Sequence, residues 1–482
     1  MMIDSNTEHK AYKRSRYSRK LCRNSAEGSD SIKRGNEIYL PMPTGFAYRD
    51  STVDSNSANK DAADGLMTTD FPWYHTNKAY SSYLQRAKYP ELVSIARNGL
   101  VGVATNKKPT LKLPSNISYL EENIGGQGET VYDFLAELIL ETLTVGNTAI
   151  FVDVNVDTNK LFFNVVPCED SIDWEEKSSD DSATFLNIRR KTAERLGKFE
   201  KEEVIYNFVY ELTKDTSPKA ILQKYKDGIE DGGIIELNLQ GTYFDSIPIF
   251  PVGCQKNSFC PQTSPMKGLS EICLAIYRKD ADLSNAQYMT CNPNLVITGA
   301  DSDIDEDGNE AGIPHIIGSQ VALVISNPDA KVFYTETDTS ALEHCRNAIQ
   351  DLYSEAVMYS ISLVGQEKKS AESENTVKLR QNAHNATLVN VVYNCASALT
   401  NAFKFAARIS GADENAVSLE VSTDFAEKTI SAQLLSALVS AWVARGLSLD
   451  TLLRNFKDAG IIPKESSIEE EIIKIQNEAP QA

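Results

Sequence analysis

The chain has 482 residues, 41% of them hydrophobic, enough to bury a large core and to divide into about two to four structural units. Its 48 basic and 67 acidic residues give a formal charge of -19, the wrong sign for coating nucleic acid by neutralising phosphates, though compatible with DNA that slides past without sticking. No run approaches the roughly 18 to 20 apolar residues of a membrane-spanning helix, and the polar N-terminus lacks the apolar core of a signal peptide, so neither bilayer anchoring nor secretion is expected.

Residues 1–79 open the chain as a Ser-, Asn-, Asp- and Lys-rich stretch without apolar periodicity, expected to be a partly disordered arm or extension. Over residues 1–34, nine cations face four carboxylates, a local charge of +5. That sign suits contact with DNA or an acidic partner, but a solvated tail is the readier reading.

Order is expected from about Tyr80, where Tyr83, Leu84 and Ala87, then Leu92, Ile95, Ala96 and Leu100, recur at helical spacing on either side of Pro90. Thr130 to Thr144 is the clearest helix: Thr130 and Asp133 form a capping-box pattern, Val131, Phe134, Leu135, Leu138 and Ile139 make one apolar stripe, and Gly146 ends it. Strand patterns follow at Ala149 to Val154 and at Leu161 to Val166, the latter stopped by Pro167. From about 183 to 253, short β-prone runs alternate with charged turns, at Thr184 to Ile188, Val204 to Leu212, Ile234 to Leu239 and Ile247 to Val252. Such alternation predicts an α+β fold.

Gly268 to Met289 reads as a long amphipathic helix with Leu269, Ile272, Ile276 and Leu283 on one side, ended by Asn292-Pro293. A β-prone insert, Leu295 to Thr335, holds the runs Leu295 to Ile297 and Val321 to Ile325, and a helix from Ser340 to about Leu363 returns from it. Two helices flanking a small β excursion predict an antiparallel stalk with a knob at its tip. After Gly365 comes a polar loop, Gln366 to Glu374, containing Lys368 and Lys369. A helical pattern of some 34 residues then runs from Thr376 to about Ile409, with Leu388, Val392, Cys395, Leu399 and Ala402 on one stripe and Asn382, Asn385, Asn390, Asn394 and Asn401 on its other faces. From Glu427 to Ile473, two or three amphipathic helices are expected.

Motifs that carry catalysis or hold a cofactor are not evident along the chain. Eight cysteines at irregular spacing, without a CxxC pair, argue against structural zinc and for reduced thiols that are mostly small apolar fillers. The five histidines, His9, His75, His315, His344 and His384, fall in no ligand pattern. Asp303, Asp305 and Asp307 before Gly308 resemble the start of a calcium loop, but Pro314 stands where the bidentate glutamate belongs, so an exposed acidic turn is the expectation. Gly125, Gly126 and Gly128 form a turn before a helix rather than a phosphate loop, because no GKS or GKT follows. No metal, cofactor or catalytic residue is expected, which favours a structural or assembly component.

Several short strings recur in one order: Asn98-Gly-Leu-Val-Gly102 with Lys107-Lys-Pro109; Tyr119 to Gly128; Gly146-Asn-Thr-Ala-Ile-Phe-Val-Asp153; Cys168-Glu-Asp-Ser-Ile-Asp-Trp174; Ile247-Pro-Ile-Phe-Pro-Val-Gly253; and Asn292-Pro-Asn-Leu-Val-Ile-Thr-Gly299. In these strings and their order, over about residues 80–475, the sequence resembles the portal proteins of tailed bacteriophages, in a subgroup long known as a domain of unknown function. The resemblance implies a wing at 80–267, stem helices at 268–292 and 338–363, a clip at 293–337, a tunnel loop at 364–374, a tunnel-lining helix at 375–410 and a helical crown at 411–482. It also implies a twelve-fold ring at one capsid vertex of the virion, assembled in the host cytoplasm, through which double-stranded DNA is packaged and ejected. Its partners would be the major capsid protein, the large terminase during filling, and head-completion or tail adaptor proteins afterwards. Lys368 and Lys369 would contact the DNA backbone, and Asn382, Asn385, Asn390 and Asn394 would line the tunnel. The basic N-terminal stretch matches nothing in that pattern. Two other readings stand beside it: a phage or bacterial enzyme whose α+β active site no motif reveals, and a capsid or scaffold component.

Overall fold

The computed structural model describes residues 6–44, 71–155, 157–177, 183–195, 197–215, 217–290, 294–298, 303–304, 310–311, 331–335, 340–364, 374–422, 448–458 and 467. Helices and sheets share the chain, as the α+β expectation requires. Two units separate by contacts, Met1–Val421 and Ser422–Ala482. The described part of the second is a helix, Leu449–Asp458, capped by the Ser448 hydroxyl and burying Leu452 and Leu453.

In the first unit, helix α1 (Lys10–Glu27) and the short α2 (Ser29–Arg34) precede α3 (Lys78–Arg86) and α4 (Leu92–Ala104). Strand β1 (Thr110–Lys112) leads to α5 (Val131–Val145), which starts at the expected Thr130/Asp133 capping box. Gly146 ends α5 with φ at 95°, and a Cβ there would stand 2.4 Å from the Gln262 carbonyl oxygen. Only glycine meets both conditions.

The chain turns at Gly146 straight into β2 (Asn147–Asn155), which pairs antiparallel with β3 (Lys160–Pro167). A six-stranded antiparallel sheet follows from β4 (Ser171–Glu176), β5 (Ala183–Arg195), β6 (Lys201–Leu212), β7 (Ala220–Lys226), β8 (Ile229–Glu230) and β9 (Ile235–Glu236), both short strands pairing with β7. The hairpin β10 (Asn238–Leu239) and β11 (Thr242–Tyr243) then leads to β12 (Ile249–Gly253), which pairs with β2 to complete a three-stranded sheet. Phe151, Val166, Trp174, Leu186, Tyr210 and Ile249 join the two sheets in one buried cluster. The run Ile234 to Leu239, expected as a strand, contributes only the two-residue pieces β9 and β10, because Ile234 and Ile235 face solvent and no inward alternation sustains a ladder.

Helix α6 (Lys267–Thr290) runs to β13 (Asn294–Thr298), which pairs antiparallel with β16 (Lys331–Thr335); between them lie β14 (Asp303–Ile304) and β15 (Glu310–Ala311). Helix α7 (Ser340–Val364) returns along α6, and a Cβ on Gly268 at the start of α6 would meet the ring of Tyr359 near the end of α7 at 2.7 Å, so the pair is antiparallel and tightly packed. Helix α8 (Glu374–Ile409) crosses the body, and β17 (Ser418–Glu420) closes the unit by pairing with β1. The run Val321 to Ile325 lies outside the described residues.

The expected loose basic arm needs correction over Lys10–Glu27, which is a helix built into the body. Tyr12, Leu21, Cys22 and Ala26 are buried, and Arg19 is only 4% exposed. Arg19 donates to the Cys168 carbonyl at 2.9 Å and stacks over the Tyr12 ring at 4.3 Å. Arg23 is the firmest fastening: its guanidinium grips the Glu141 carboxylate at 2.7 and 2.8 Å and the Glu169 carboxylate at 3.0 Å twice. Glu8 bridges Arg16 and Arg189. Lys10, Lys13, Arg14 and Lys20 keep an exposed basic face. The apolar pattern was hidden because arginines and a serine occupy inward positions of this helix, the arginines bonding to groups distant in sequence.

Burial alone would raise the Glu169 carboxyl, but the Arg23 guanidinium holds it below the ordinary carboxylate value. Its contribution to stability is therefore present above that value and lost as pH falls through the acid range. Replacing Arg23 by Ala strands two half-buried carboxylates and should cost about 1–3 kcal/mol in denaturant unfolding; an unchanged midpoint would remove this pairing from the account. Neighbouring Asp170 behaves oppositely: burial, reinforced by Glu169, pushes its carboxyl up to about 6 despite Arg190 at 3.9 Å. Stability from the neutral form is present below the ordinary Asp value and lost as pH rises through about 6. Asp170→Asn should therefore raise the melting temperature at pH 7.5, with the gain shrinking to nothing below pH of about 4.

Candidate functional site

The long helix α8 dominates the region the sequence singles out. Its 36 residues span about 54 Å at the α-helical rise. From Leu388 onward it is fixed against the body: Leu388, Val392, Cys395, Leu399 and Ala402, the expected apolar stripe, are all at most 5% exposed. Phe403 packs on Phe163 at 5.1 Å, and Phe405 on Phe244 and Phe250 at 5.2 and 5.8 Å. Ala398, Ala402 and Ala406, buried at four-residue spacing, form a low ridge that lets β2 and β12 approach closely.

The opposite face of this half is a stripe of Asn390, Tyr393, Ser397, Asn401, Lys404 and Arg408, repeating every three or four residues. Asn390 and Asn401 are exposed and Tyr393 is 65% exposed. Asn394 is half-buried and serves the fold as well: its amide donates to the Gly253 carbonyl at 2.8 Å, and Asn257 donates to the Asn394 carbonyl at 3.0 Å. Asn382 and Asn385 lie within the helix, with their side chains outside the described set, and Lys368 and Lys369 lie outside the described residues. Arg408 pairs with Asp245 at 2.9 Å at the far end. The stripe thus offers amides, a hydroxyl and an aromatic ring, with its two cations, Lys404 and Arg408, at the far end. Tyr393 and Ser397 were not singled out in the sequence; their i+3 and i+7 relation to Asn390 is the signal that places them on the same stripe.

Elsewhere, Cys260 and Cys345 are exposed, unlike the apolar fillers expected, while the other described thiols are buried. Cys22, Cys254, Cys273 and Cys395 are buried, and burial pushes their thiols up, to about 11 for the first two and about 12 for the others, far from the thiolate a nucleophile needs. His9 caps α1 and packs against Trp174, while His75 faces Glu37 at 3.4 Å. Among the described residues no three His, Cys, Asp or Glu side chains converge as metal ligands. Asp303 sits in the β14–β15 pairing, and Asp305 and Asp307 lie outside the described residues. Among the described residues, no helix is long and apolar enough to cross a membrane.

Two open cavities are large enough to note. One, about 510 Å³, lies where α8 ends, between Tyr119, Lys160, Gln240 and Ser410. The other, about 480 Å³, lies beside the glycine turn at 125–128 and holds Glu129 and Glu137, both raised above the ordinary carboxylate value by burial and neighbouring carboxylates. Neither gathers a nucleophile, a base and an orienting group.

No curated protein matches this sequence. A family model described as a domain of unknown function (DUF4055) matches residues 265–409, the stretch from α6 through α8. Solved structures similar to this chain include a chain of the neck of an empty GTA particle computed with C6 symmetry, at 10% identity and TM-score 0.38, covering 77% of this chain and 90% of that one. A chain from the virion of a native gene transfer agent (GTA) particle shares 13% identity at TM-score 0.37, covering 74% and 87%. A chain of the neck of a native GTA particle computed with C12 symmetry shares 11% at TM-score 0.36, covering 74% and 86%.

Proposed function

We propose that this chain is a portal-type subunit: a structural protein that closes with its copies into a twelve-fold ring at one vertex of a phage-like particle and conducts double-stranded DNA during filling and ejection. The observation that carries the reading is the order of elements from α6 to α8. An antiparallel helix pair, Lys267–Thr290 and Ser340–Val364, flanks a paired β insert and is the last described element before a helix of 36 residues, Glu374–Ile409. These elements fall on the stem, clip and tunnel-helix spans that the resemblance to portal proteins implies, and the DUF4055 match covers the same stretch. The neck and virion origin of the similar solved chains is in keeping with the reading without carrying it.

In this proposal the fixed half of α8 holds the helix to the body, and its amide-bearing positions, Asn382, Asn385, Asn390 and Asn394, border the bore. An amide or hydroxyl surface on an acidic chain gives DNA phosphates few ion pairs to break at each step, which keeps friction low. Lys368 and Lys369, in the polar stretch of sequence before α8, would touch the backbone. The clip docks a packaging motor during filling and adaptor or tail proteins later, with the capsid shell around the wing. The motor supplies nucleotide hydrolysis, and this subunit works as a structural conduit rather than as an enzyme.

Negative-stain images of the purified chain should show annuli wide enough for a duplex. Failure to form one even beside its shell partners overturns the reading. Replacing both Lys368 and Lys369 by Ala should leave rings intact while DNA retention falls, its log–log salt slope dropping by about 1 for each phosphate no longer neutralised. Unchanged packaging would withdraw the loop assignment alone.

A further inference from the structure

Helix α1 has two faces of different kinds. Its inner face is bonded into the body, whereas Lys10, Lys13, Arg14, Tyr17 and Lys20 are exposed. Their spacing sets them on one side of the helix, over about 15 Å from Lys10 to Lys20. Lys10, Lys13, Arg14 and Lys20 form no ion pair among the described residues. Helix α1 holds seven cations and one carboxylate, Glu27, which stands at its far end and accepts from the Ser31 hydroxyl at 2.7 Å.

Carboxylates at the margins of this helix are engaged by other cations. Arg16 and Arg189 hold Glu8, Arg23 holds Glu141 and Glu169, and Arg190 stands 3.9 Å from Asp170. Arg19, buried in the same helix, bonds the carbonyls of Cys168 and Tyr12 rather than a carboxylate, so its charge adds to the local positive field. On a chain of net charge -19, this cluster is a local inversion of sign. The face also lacks the apolar centre of a protein–protein contact, since Tyr17, 52% exposed, is the one large exposed hydrophobic residue of α1. Polar and strongly positive surfaces of this kind suit a phosphate backbone.

We propose that the outward face of α1 binds the phosphate backbone of double-stranded DNA without regard to sequence, through residues other than those of the α8 stripe. Over about 15 Å one strand of a duplex presents about four phosphates, at about 3.4 Å each, which matches the four uncommitted cations in number and span. The Tyr17 hydroxyl adds a donor for a phosphate oxygen. Acidic surface elsewhere on the chain confines the contact to this face and keeps it weak and dependent on salt. The inference takes its ligand from the portal-type reading and adds a fixed second place where the duplex touches the subunit.

Fluorescence anisotropy of a short random-sequence duplex, titrated with the full chain, tests it; Lys368 and Lys369 are first replaced by Ala so that they add nothing. Affinity should fall about a hundredfold between about 50 and 200 mM salt, as expected when about four phosphates are neutralised. Adding Lys13→Ala and Lys20→Ala should weaken binding about tenfold or more at the lower salt and reduce the log–log salt slope by about 2, whatever the sequence. Lys13→Arg with Lys20→Arg keeps the charges and should bind as before. Both side chains are exposed, so circular dichroism should stay native throughout. No binding at low salt, or binding that ignores the Ala pair, overturns this surface and leaves the portal-type reading standing. Polyglutamate that binds more tightly than the duplex also overturns it, in favour of an acidic protein partner. Duplex binding that depends on Lys13 and Lys20 in a chain that never forms rings overturns the portal-type reading and leaves this surface standing.

Discussion

Everything in the first unit leans on the burial of the second half of α8. Val391, Val392, Cys395, Leu399, Ala402, Phe403 and Ala406 are each at most 1% exposed, and they touch α5, β2 and β12 together. Each fully buried large side chain contributes about 1.5–3 kcal/mol relative to exposure, so the seam outweighs any polar contact around it. The Gly146 turn follows from the same seam: α5 and β2 both pack on α8, and the chain must reverse between them in a space where a methyl group would strike the Gln262 carbonyl. Asn394 and Asn257 then fix the helix along its length by bonding across to the end of β12.

A different force sets the N-terminal helix. Its buried face is thin, so ion pairs and hydrogen bonds supply what apolar area does not. Arg23 between Glu141 and Glu169 ties α1 to α5 and to the turn before β4, and Arg19 reaches the carbonyl of Cys168 in that same turn. Half-buried charge pairs are strong only when every partner is present, because the loss of one leaves the others desolvated and bare. The helix is thus held by a geometry rather than by adhesion, and its remaining cations are free to face outward.

The legibility of the chain follows from the same division. Where burial is apolar, the sequence announced its structure: the capping box at Thr130, the stop at Gly146, the strands at 147–155 and 160–167, and three long helices lie within a few residues of expectation. Where burial is polar, it did not. In α1, Arg19 and Ser25 occupy inward positions that a hydrophobic template scores as solvent. Strand β4 places Ile172 and Trp174 inward, but in a run of only six residues shared with Asp173 and two glutamates. In β7 the inward Ala220, Leu222 and Tyr225 break strict alternation between lysines. Of the α8 asparagines, Asn394 resembles Asn390 in sequence, and only the partner across the fold distinguishes the one that bonds Gly253 from the one left exposed.

Net charge sets a last constraint on how copies can meet. Each chain carries -19, so copies repel at long range, and any association must be decided where screening is strongest and contacts are closest. At physiological salt the screening length is about 8 Å, so the bulk of that charge is hidden from a neighbour at a margin of the sheet while groups in direct contact are not. An acidic protein can therefore assemble if its few uncommitted cations are concentrated at one place and its partner surface is locally acidic. On the β5–β6 ribbon the cations are not concentrated in that way: Lys191, Arg195, Lys198 and Lys201 stand among Glu194, Glu200, Glu202 and Glu203, while Arg189 and Lys226 are spent on Glu8 and Glu194 within the fold. The excess of carboxylate thus opposes random clustering at long range, and the choice of any contact falls to side chains in direct touch.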